Sequence, residues 1–455
     1  MSTGALKNTI KDTGKHPGDE QSAESGSYPS PLFAWLMLAA LFVAYVISFV
    51  DRMIIGLLVE PMKADLQLTD TQISLLHGAA FAIFYTIAGI PLGRLLDRVS
   101  RTRVVAAGIV VWSLMTIACG LVSRYGHLFL TRVGVGAGEA TLSPAAYSLI
   151  SDSFPPRRLG LAMGIYSVAS TMGAGLAFLL GAAVVSLVSQ GEELVLPFFG
   201  SLRVWQAAFV IVGIPGLVIA PLFLLLRDPR PAATVEQPTV VPSISEVFRY
   251  CRGRAGLLLG AMFGVGCVNT CAYATLSWMP AFLGRGHGMS LTDAGYAVGV
   301  TVMIGGMVGY LGGGRLCDKL GGGPRVRLYF ASVTAATGIL FGVFPLLDNV
   351  TVALVLFTGA FAAMTAPTGA ALTSLLQAMP SNMRATVSAV YVFVVNILGM
   401  TLGPTLTAVI GDSFFPQDDG IRYAIAIVTI GGFVGATLLF LMAARSIGRS
   451  SGTPV

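Results

Sequence analysis

Long apolar runs recur along the whole chain and constrain its fold more than any other feature. A helix of about 20 residues rises roughly 30 Å, the thickness of the hydrocarbon core of a bilayer. Only 11% of the residues are charged, against roughly 25% in soluble domains. The sequence therefore predicts an all-α, polytopic membrane protein with twelve transmembrane helices. They are expected at residues 33–59, 72–93, 104–122, 127–150, 160–188, 204–226, 255–282, 292–313, 326–346, 350–378, 385–411 and 422–444.

The distribution of basic residues predicts the orientation. With both termini placed in the cytoplasm, 21 of the 28 Lys and Arg residues fall in cytoplasmic segments and five fall in outer loops. Loops rich in Lys and Arg stay on the cytoplasmic side of a membrane. We therefore expect a multi-pass protein of the plasma membrane, or of the inner membrane if the source is bacterial. The net charge of +6 is then explained by topology, and no nucleic-acid partner is expected.

The two halves of the chain repeat each other. "GRLLDR" (93–98) ends the second predicted helix and "GRLCDK" (314–319) ends the eighth. "SLISDSFPPRRLGLAMGIY" resembles "TSLLQAMPSNMRATVSAVY", and their last residues, Tyr166 and Tyr391, are 225 positions apart. Six-helix repeats are typical of two-bundle transporters. The predicted organisation is a disordered cytoplasmic tail (1–30), a six-helix bundle (31–227), a cytoplasmic linker (228–254), a second bundle (255–446) and a short cytoplasmic tail (447–455).

Four ionisable residues lie inside predicted membrane helices. Asp51 and Arg52 interrupt the first helix, and Arg132 and Glu139 lie seven residues apart on one face of the fourth. Adjacent helical residues point about 100° apart, so we expect one of Asp51 and Arg52 to turn toward the fourth helix and the other toward a cavity. Two acids and two arginines sum to zero charge, so mutual pairing removes most of the burial cost.

Intramembrane charges usually mark substrate or proton paths, and the alternative is that they only lock two helices together. We interpret Glu139 and Asp51 as proton-coupling residues. The second half contributes weakly polar residues, which suits an amphiphile, although each of them could simply pack between helices. His77 is interpreted as a packing or loop residue rather than a proton site. The predicted substrate-binding residues are Arg52, Arg132, Asn269, Tyr273, Tyr166, Tyr391 and Asn396.

"GRLLDRVSRTR" (93–103) resembles the loop signature of the major facilitator superfamily, with Ser100 in place of the usual second glycine, and "GRLCDKLGGGPRVR" resembles its repeat. The acidic–Arg pair of the first helix and "TRVGVGAGEATLSPAAYSLISDSFPPRR" are similar to the spinster-like branch, which is associated with lysolipids and sphingolipid-type amphiphiles. The fifth helix lacks the proline of the antiporter signature. The resemblance implies gating roles at the cytoplasmic mouth for Gly93, Asp97, Arg98, Arg101, Gly314 and Asp318.

These features predict a secondary active, proton-coupled transporter that moves an amphiphilic organic anion by alternating access. Its expected partners are protons, an anionic amphiphile or lysolipid, and membrane lipids, and we expect it to act as a monomer. We expect no cofactor, metal or enzymatic activity, because the sequence contains no metal-ligand cluster and no catalytic constellation outside the buried charges. The alternatives are a carrier of small organic acids or drugs, and a non-transporting membrane receptor.

Overall fold

Each predicted apolar run forms helix in the computed structural model, which describes residues 28–189, 194–196, 200–229, 244–321, 323–380, 383–415 and 420–449. The predicted tails and linker fall largely outside these residues. The helices of the first half are α1 (Pro31–Leu57), α2 (Val59–Leu66), α3 (Asp70–His77), α4 (Ala79–Arg98), α5 (Arg101–Cys119), α6 (Tyr125–Glu139), α7 (Leu142–Ser153), α8 (Pro156–Ser189) and α9 (Val204–Leu225).

The second half has the same character. Its helices are α10 (Ile244–Gly253), α11 (Ala255–His287), α12 (Leu291–Met307), α13 (Gly313–Lys319), α14 (Pro324–Phe341), α15 (Val350–Gln377), α16 (Arg384–Asn396), α17 (Gly403–Phe414) and α18 (Gly420–Arg449). Two π-helical turns, at Val308–Gly312 and Ile397–Leu402, link α12 to α13 and α16 to α17, and a 3₁₀ turn lies at Phe344–Leu346. Such π-helical turns are frequent at functional sites.

Among the described residues, eleven helical spans are long and apolar enough to cross a membrane. The expected fourth crossing is not one continuous helix: α6 ends at Glu139 and α7 begins at Leu142. Pro144 has no N–H to donate to the carbonyl of Ala140, and its ring crowds that carbonyl. The prediction of one unbroken helix over 127–150 was therefore wrong, and the fourth crossing consists of two shorter helices.

A small hairpin interrupts the helical pattern between α8 and α9. Strands β1 (Leu194–Leu196) and β2 (Gly200–Leu202) pair antiparallel on the outer side. The sequence analysis did not predict them. The second crossing is also divided, because α3 and α4 meet at Gly78.

The two halves of the protein touch each other in the outer part of the molecule. A Cβ atom at Gly56 of α1 would lie 2.6 Å from the carbonyl oxygen of Leu276 of α11, so only glycine permits this approach. Gly175 of α8 and Gly299 of α12 meet in the same way, with 2.9 Å between a Cβ built on either residue and the carbonyl oxygen of the other. These close approaches close the outer side of the protein.

Glycines toward the cytoplasmic ends of α4 and α8 show no such approach. Cβ atoms built at Gly89 and Gly93 of α4, or at Gly160 and Gly164 of α8, would have no atom of the described residues within 4 Å apart from the chain neighbours and the helix's own backbone. Close contact between the halves in the outer part, without such contact at these cytoplasmic glycines, is the pattern of an inward-facing arrangement.

Candidate functional site

The four charged residues predicted in the membrane form one buried group, which we call the charge centre. Asp51 and Arg132 have no exposed surface, Glu139 is 1% exposed and Arg52 is 6% exposed. They come from the outer half of α1 and from α6. Formal charges of two acids and two arginines cancel, which limits the cost of burying them.

Arg52 and Glu139 form the ion pair of the charge centre. Nη2 of Arg52 lies 2.6 Å from Oε2 of Glu139, and the hydroxyl of Ser48 donates to the same oxygen at 2.5 Å. The guanidinium carbon of Arg52 lies 4.4 Å from the ring centroid of Phe81 and 4.7 Å from that of Phe49. Such cation–π contacts stabilise a partly desolvated arginine by about 2 kcal/mol.

Asp51 and Arg132 adjoin each other without forming an ion pair. Nη1 of Arg132 donates to the backbone carbonyl of Asp51 at 3.3 Å, and the hydroxyl of Thr116 donates to Oδ2 of the Asp51 side chain at 3.2 Å. Within the described part of the chain, Oδ1 of Asp51 and both Nε and Nη2 of Arg132 have no hydrogen-bond partner. Nε and Nη2 are the two parallel donors of one guanidinium edge, so the edge that binds a carboxylate or phosphate with two hydrogen bonds is free.

Local structure explains the position of Glu139. It is the last residue of α6, immediately before the break that Pro144 causes. Gly136 and Gly138 let α6 approach the backbones of α4 and α5: Cβ atoms there would lie 2.5 Å from the Phe81 carbonyl oxygen and 2.7 Å from the Trp112 nitrogen. Small residues at a helix contact permit this distance.

Tyrosines extend the site below the charge centre. Tyr166 of α8 stacks on Tyr45 of α1 with ring centroids 4.5 Å apart, and its edge contacts Tyr147 of α7 at 5.7 Å. Tyr85 of α4 lies 5.5 Å from the Arg52 guanidinium carbon. Its hydroxyl donates to Ser143 at 3.4 Å.

The second half places several predicted residues opposite this group. Tyr273 of α11 lies near Arg52 and packs against the π-helical turn Ile397–Leu402, where a Cβ at Gly399 would lie 3.2 Å from its Cδ2. Asn269, one turn earlier on the same helix, faces the π-helical turn at Gly399, where a Cβ would lie 2.9 Å from that of Asn269. Tyr391 is buried beside Tyr310, and Asn396 is half-buried at the end of α16.

An ion-pair cluster at the outer surface joins the two halves. Arg285, near the end of α11, donates to both carboxylate oxygens of Asp70 at 2.6 and 2.9 Å, and to Glu60 at 2.8 Å. Lys63 also pairs with Asp70. We call Glu60, Lys63, Asp70 and Arg285 the outer latch. Beside it, the hydroxyl of Thr71 on α3 donates to Asp412 of α17 at 2.7 Å.

Comparison with known proteins decides the family. The sequence profile described as "Major Facilitator Superfamily" matches residues 41–404. The chain belongs to this superfamily. It is therefore a multi-pass membrane transporter rather than an enzyme.

Several relatives within the superfamily are similar over most of the chain. An "MFS-type efflux pump" of Mycolicibacterium smegmatis is 30% identical over 91% of this chain and 94% of its own length. A "Probable L-galactonate transporter" of Escherichia coli is 27% identical over 62% of this chain and 60% of its own length. The crystal structure of a bacterial homologue of the human lysosomal transporter spinster, inward-facing and unoccupied, has a TM-score of 0.78 at 26% identity and covers 94% of this chain and all of that chain. The resemblance to the spinster-like branch is thereby confirmed.

Two of the predicted gating residues, Arg101 and Asp318, form ion pairs at the cytoplasmic side. Arg101 is buried and pairs with Asp152 of α7 at 2.6 Å and with Asp228, just after α9, at 2.5 Å. Asp318 pairs with Arg327 at 3.0 Å within the second half. Of the other predicted gating residues, Arg98 is exposed, and Gly93 and Gly314 have no described side chain close to them. The side chain of Asp97 lies outside the described residues.

Sequence reasoning missed the outer latch and most of the tyrosines. One signal could have found two tyrosines, because Tyr85 and Tyr310 are separated by 225 residues, as are Tyr166 and Tyr391. The same interval separates Glu60 from Arg285. Equivalent positions of the two repeats therefore supply residues to the site and to the latch.

Proposed function

We propose that this transporter carries an organic anion together with a proton by alternating access, with Asp51 carrying the proton and Arg132 binding the anion. The free Nε–Nη2 edge of Arg132, beside an unpaired Asp51 carboxyl, is the observation that carries the proposal. A buried carboxylate without an ion-pair partner is costly. We therefore place the proton on Asp51 in the inward-facing arrangement.

Coupling follows from competition for one guanidinium edge. With Asp51 protonated, the charges of Glu139, Arg52 and Arg132 sum to +1. Because Glu139 pairs with Arg52, the unbalanced charge lies on Arg132. An anion neutralises that charge through two hydrogen bonds. When Asp51 loses its proton, its carboxylate can bind the free edge of Arg132, because the Asp51 backbone already accepts a hydrogen bond from that arginine. The carboxylate then replaces the anion. Proton and anion thus bind together and leave together, as in symport.

Glu139 is proposed to play the corresponding part for Arg52. Its carboxylate holds Arg52 against the aromatic rings of Phe81 and Phe49. Protonation of Glu139 would release Arg52, which lies close to Tyr273 of the second half. Arg52 would then contact the substrate in the same step in which Glu139 is protonated.

We propose an amphiphilic, lipid-like anion as substrate. All four intramembrane charges come from the first half, whereas Tyr273, Tyr310 and Tyr391 of the second half offer aromatic surface with single hydroxyls. A polar head group and an apolar chain match this asymmetry. The resemblance to the spinster-like branch, which is associated with lysolipids and sphingolipid-type amphiphiles, supports the same class. A small hydroxylated acid is the second candidate, because one relative is named as a probable L-galactonate transporter.

Flux measurements in proteoliposomes that enclose a pH-sensitive dye test the proposal. Lysophosphatidate, sphingosine 1-phosphate and galactonate would be added in turn to wild type, Arg132→Gln and the control Arg124→Gln, which changes an exposed arginine on the outer side. We expect proton influx with the two lipids in wild type and the control, and a loss of roughly tenfold or more in Arg132→Gln. Influx with galactonate alone would select the second candidate. Lipid flux without proton movement would contradict the coupling.

A further inference from the structure

His77 is a buried imidazole that the proposed proton and anion steps do not use. It is the last residue of α3, directly before the bend at Gly78, and only 2% of its surface is exposed. Among the described residues, neither Nδ1 nor Nε2 has a hydrogen-bond partner. A side chain that served only to pack would fill this position without two unsatisfied polar atoms.

The guanidinium groups of Arg132 and Arg52 lie near His77. Phe81, one turn farther along the chain, lies against both of them, with its ring centroid 4.4 Å from Cζ of Arg52 and 5.7 Å from Cζ of Arg132. His77 therefore occupies the outer end of the charge centre.

The second half contacts the residue next to His77. A Cβ atom at the adjacent Gly78 would meet the Met400 carbonyl and lie 3.3 Å from Cα of Thr401, both in the π-helical turn Ile397–Leu402. This contact belongs to the closed outer interface, together with the outer latch. Separation of the two halves on the outer side would uncover His77 first and Arg132 behind it.

We propose that His77 and the free Nε–Nη2 edge of Arg132 together form an outward-opening site for the carboxylate or phosphate group of the substrate. The guanidinium edge supplies two parallel donors and a neutral imidazole supplies a third. The site is closed in the inward-facing arrangement and accepts the anion when α3 moves away from the π-helical turn. The inference rests on the proposed anion-binding role of Arg132 and adds His77 as a specificity-determining residue.

Chemical modification of histidine gives a test that does not depend on transport. Full-length protein in detergent would be treated with diethyl pyrocarbonate, and modification of each histidine measured by mass spectrometry. Wild type would be compared with Arg285→Ala, which removes the centre of the outer latch. Inorganic phosphate and lysophosphatidate would be used as separate probes, and His127, exposed at the start of α6, is the internal control.

We expect His77 to react in Arg285→Ala and either probe to slow that reaction at least fivefold, with His127 unchanged. Protection by lysophosphatidate alone would assign the site to a lipid head group, and protection by phosphate as well would assign it to the anionic group itself. Arg132→Gln in the same background should remove the protection. A reactive His77 that neither probe protects, or a His77 that stays unreactive in both proteins, would overturn the inference.

Transport kinetics separate this inference from the proposed function. His77→Phe keeps an aromatic ring and removes both nitrogens, and we expect it to raise the KM for lysophosphatidate at least tenfold while proton coupling per transported anion stays unchanged. His127→Phe is the matched control and should leave KM unchanged. An unaltered KM in His77→Phe would refute the role of His77 and leave the roles of Asp51 and Arg132 standing. Loss of coupling in wild type would instead refute the proposed function.

Discussion

Nη2 of Arg52 and Oε2 of Glu139 lie 2.6 Å apart, and this ion pair joins α1 to α6 at the break in the fourth crossing. Both side chains are almost completely buried, so neither charge can be satisfied by solvent when the other is removed. The pair therefore determines stability as well as the position of Arg52 in the site.

Glu139→Gln should lower the stability of the protein by about 3 kcal/mol, because it leaves the Arg52 charge buried and unpaired. The double variant Arg52→Gln with Glu139→Gln should recover most of the loss. Thermal unfolding in detergent measures both. Glu60→Gln, which removes a half-exposed partner of Arg285, is the control and should cost less than about 1 kcal/mol. Equal losses in Glu139→Gln and the double variant would contradict the pairing.

Asp51→Asn should uncouple the proton from the anion. Asparagine resembles the protonated acid, so the Arg132 edge stays available and anion exchange across the membrane should continue at nearly the wild-type rate. Accumulation driven by a pH gradient should fall roughly tenfold or more. Exchange and gradient-driven uptake of radiolabelled lysophosphatidate would be compared, with Asp348→Asn at the exposed outer surface as control. Retained gradient-driven uptake in Asp51→Asn would remove Asp51 from the coupling mechanism.

Arg285→Ala should shift the protein toward an outward-open arrangement, because Arg285 is the cation that ties Asp70 and Glu60 to the second half. If the closed state loses about 1.4 kcal/mol of stability, the ratio of outward-open to closed protein rises tenfold. A cysteine at Ser74, which is fully buried, would report opening through its reaction with a membrane-impermeant maleimide, and we expect the rate to rise about tenfold.

Arg422→Ala is the matched control for this experiment. Arg422 also forms an ion pair on the outer side, with Asp348 at 2.9 Å, but both residues belong to the second half. Its removal should not change the labelling of the Ser74→Cys reporter. Equal acceleration by both substitutions would mean that labelling follows general loosening rather than separation of the halves.

Arg101→Ala should destabilise the protein more than Arg98→Ala does. Arg101 is buried and pairs with Asp152 and Asp228, which connect the start of α5 to α7 and to the segment after α9. We expect a fall in Tm of about 5 °C for Arg101→Ala. Arg98 is exposed, so its replacement should change Tm by less than about 1 °C. Similar Tm values for the two variants would mean that the ion pairs of Arg101 do not stabilise the protein, which leaves gating as its role.

The sequence predicted the features that depend on local periodicity. Apolar runs of about 20 residues can only be membrane helices, and the seven-residue spacing of Arg132 and Glu139 places them on one helical face whatever the tertiary structure is. Periodicity does not show the break after Glu139, because the apolar character continues through it and a proline alone is no sufficient signal: Pro280 and Pro367 lie inside continuous helices. The interval of 225 residues that separates Tyr166 from Tyr391 also separates Tyr85 from Tyr310.

The sequence by itself thus determined that this protein is a helical membrane transporter and which charged residues lie within the bilayer. Only the tertiary structure decided that Glu139 pairs with Arg52 while Asp51 and Arg132 adjoin without an ion pair. Two acids and two arginines on two helices permit more than one arrangement, and helix rotation selects among them. It also decided the outer latch, in which Arg285 and Asp70 are 215 residues apart in the chain. Contacts between residues so distant in sequence depend on how two independently formed bundles pack, and no local pattern encodes that packing.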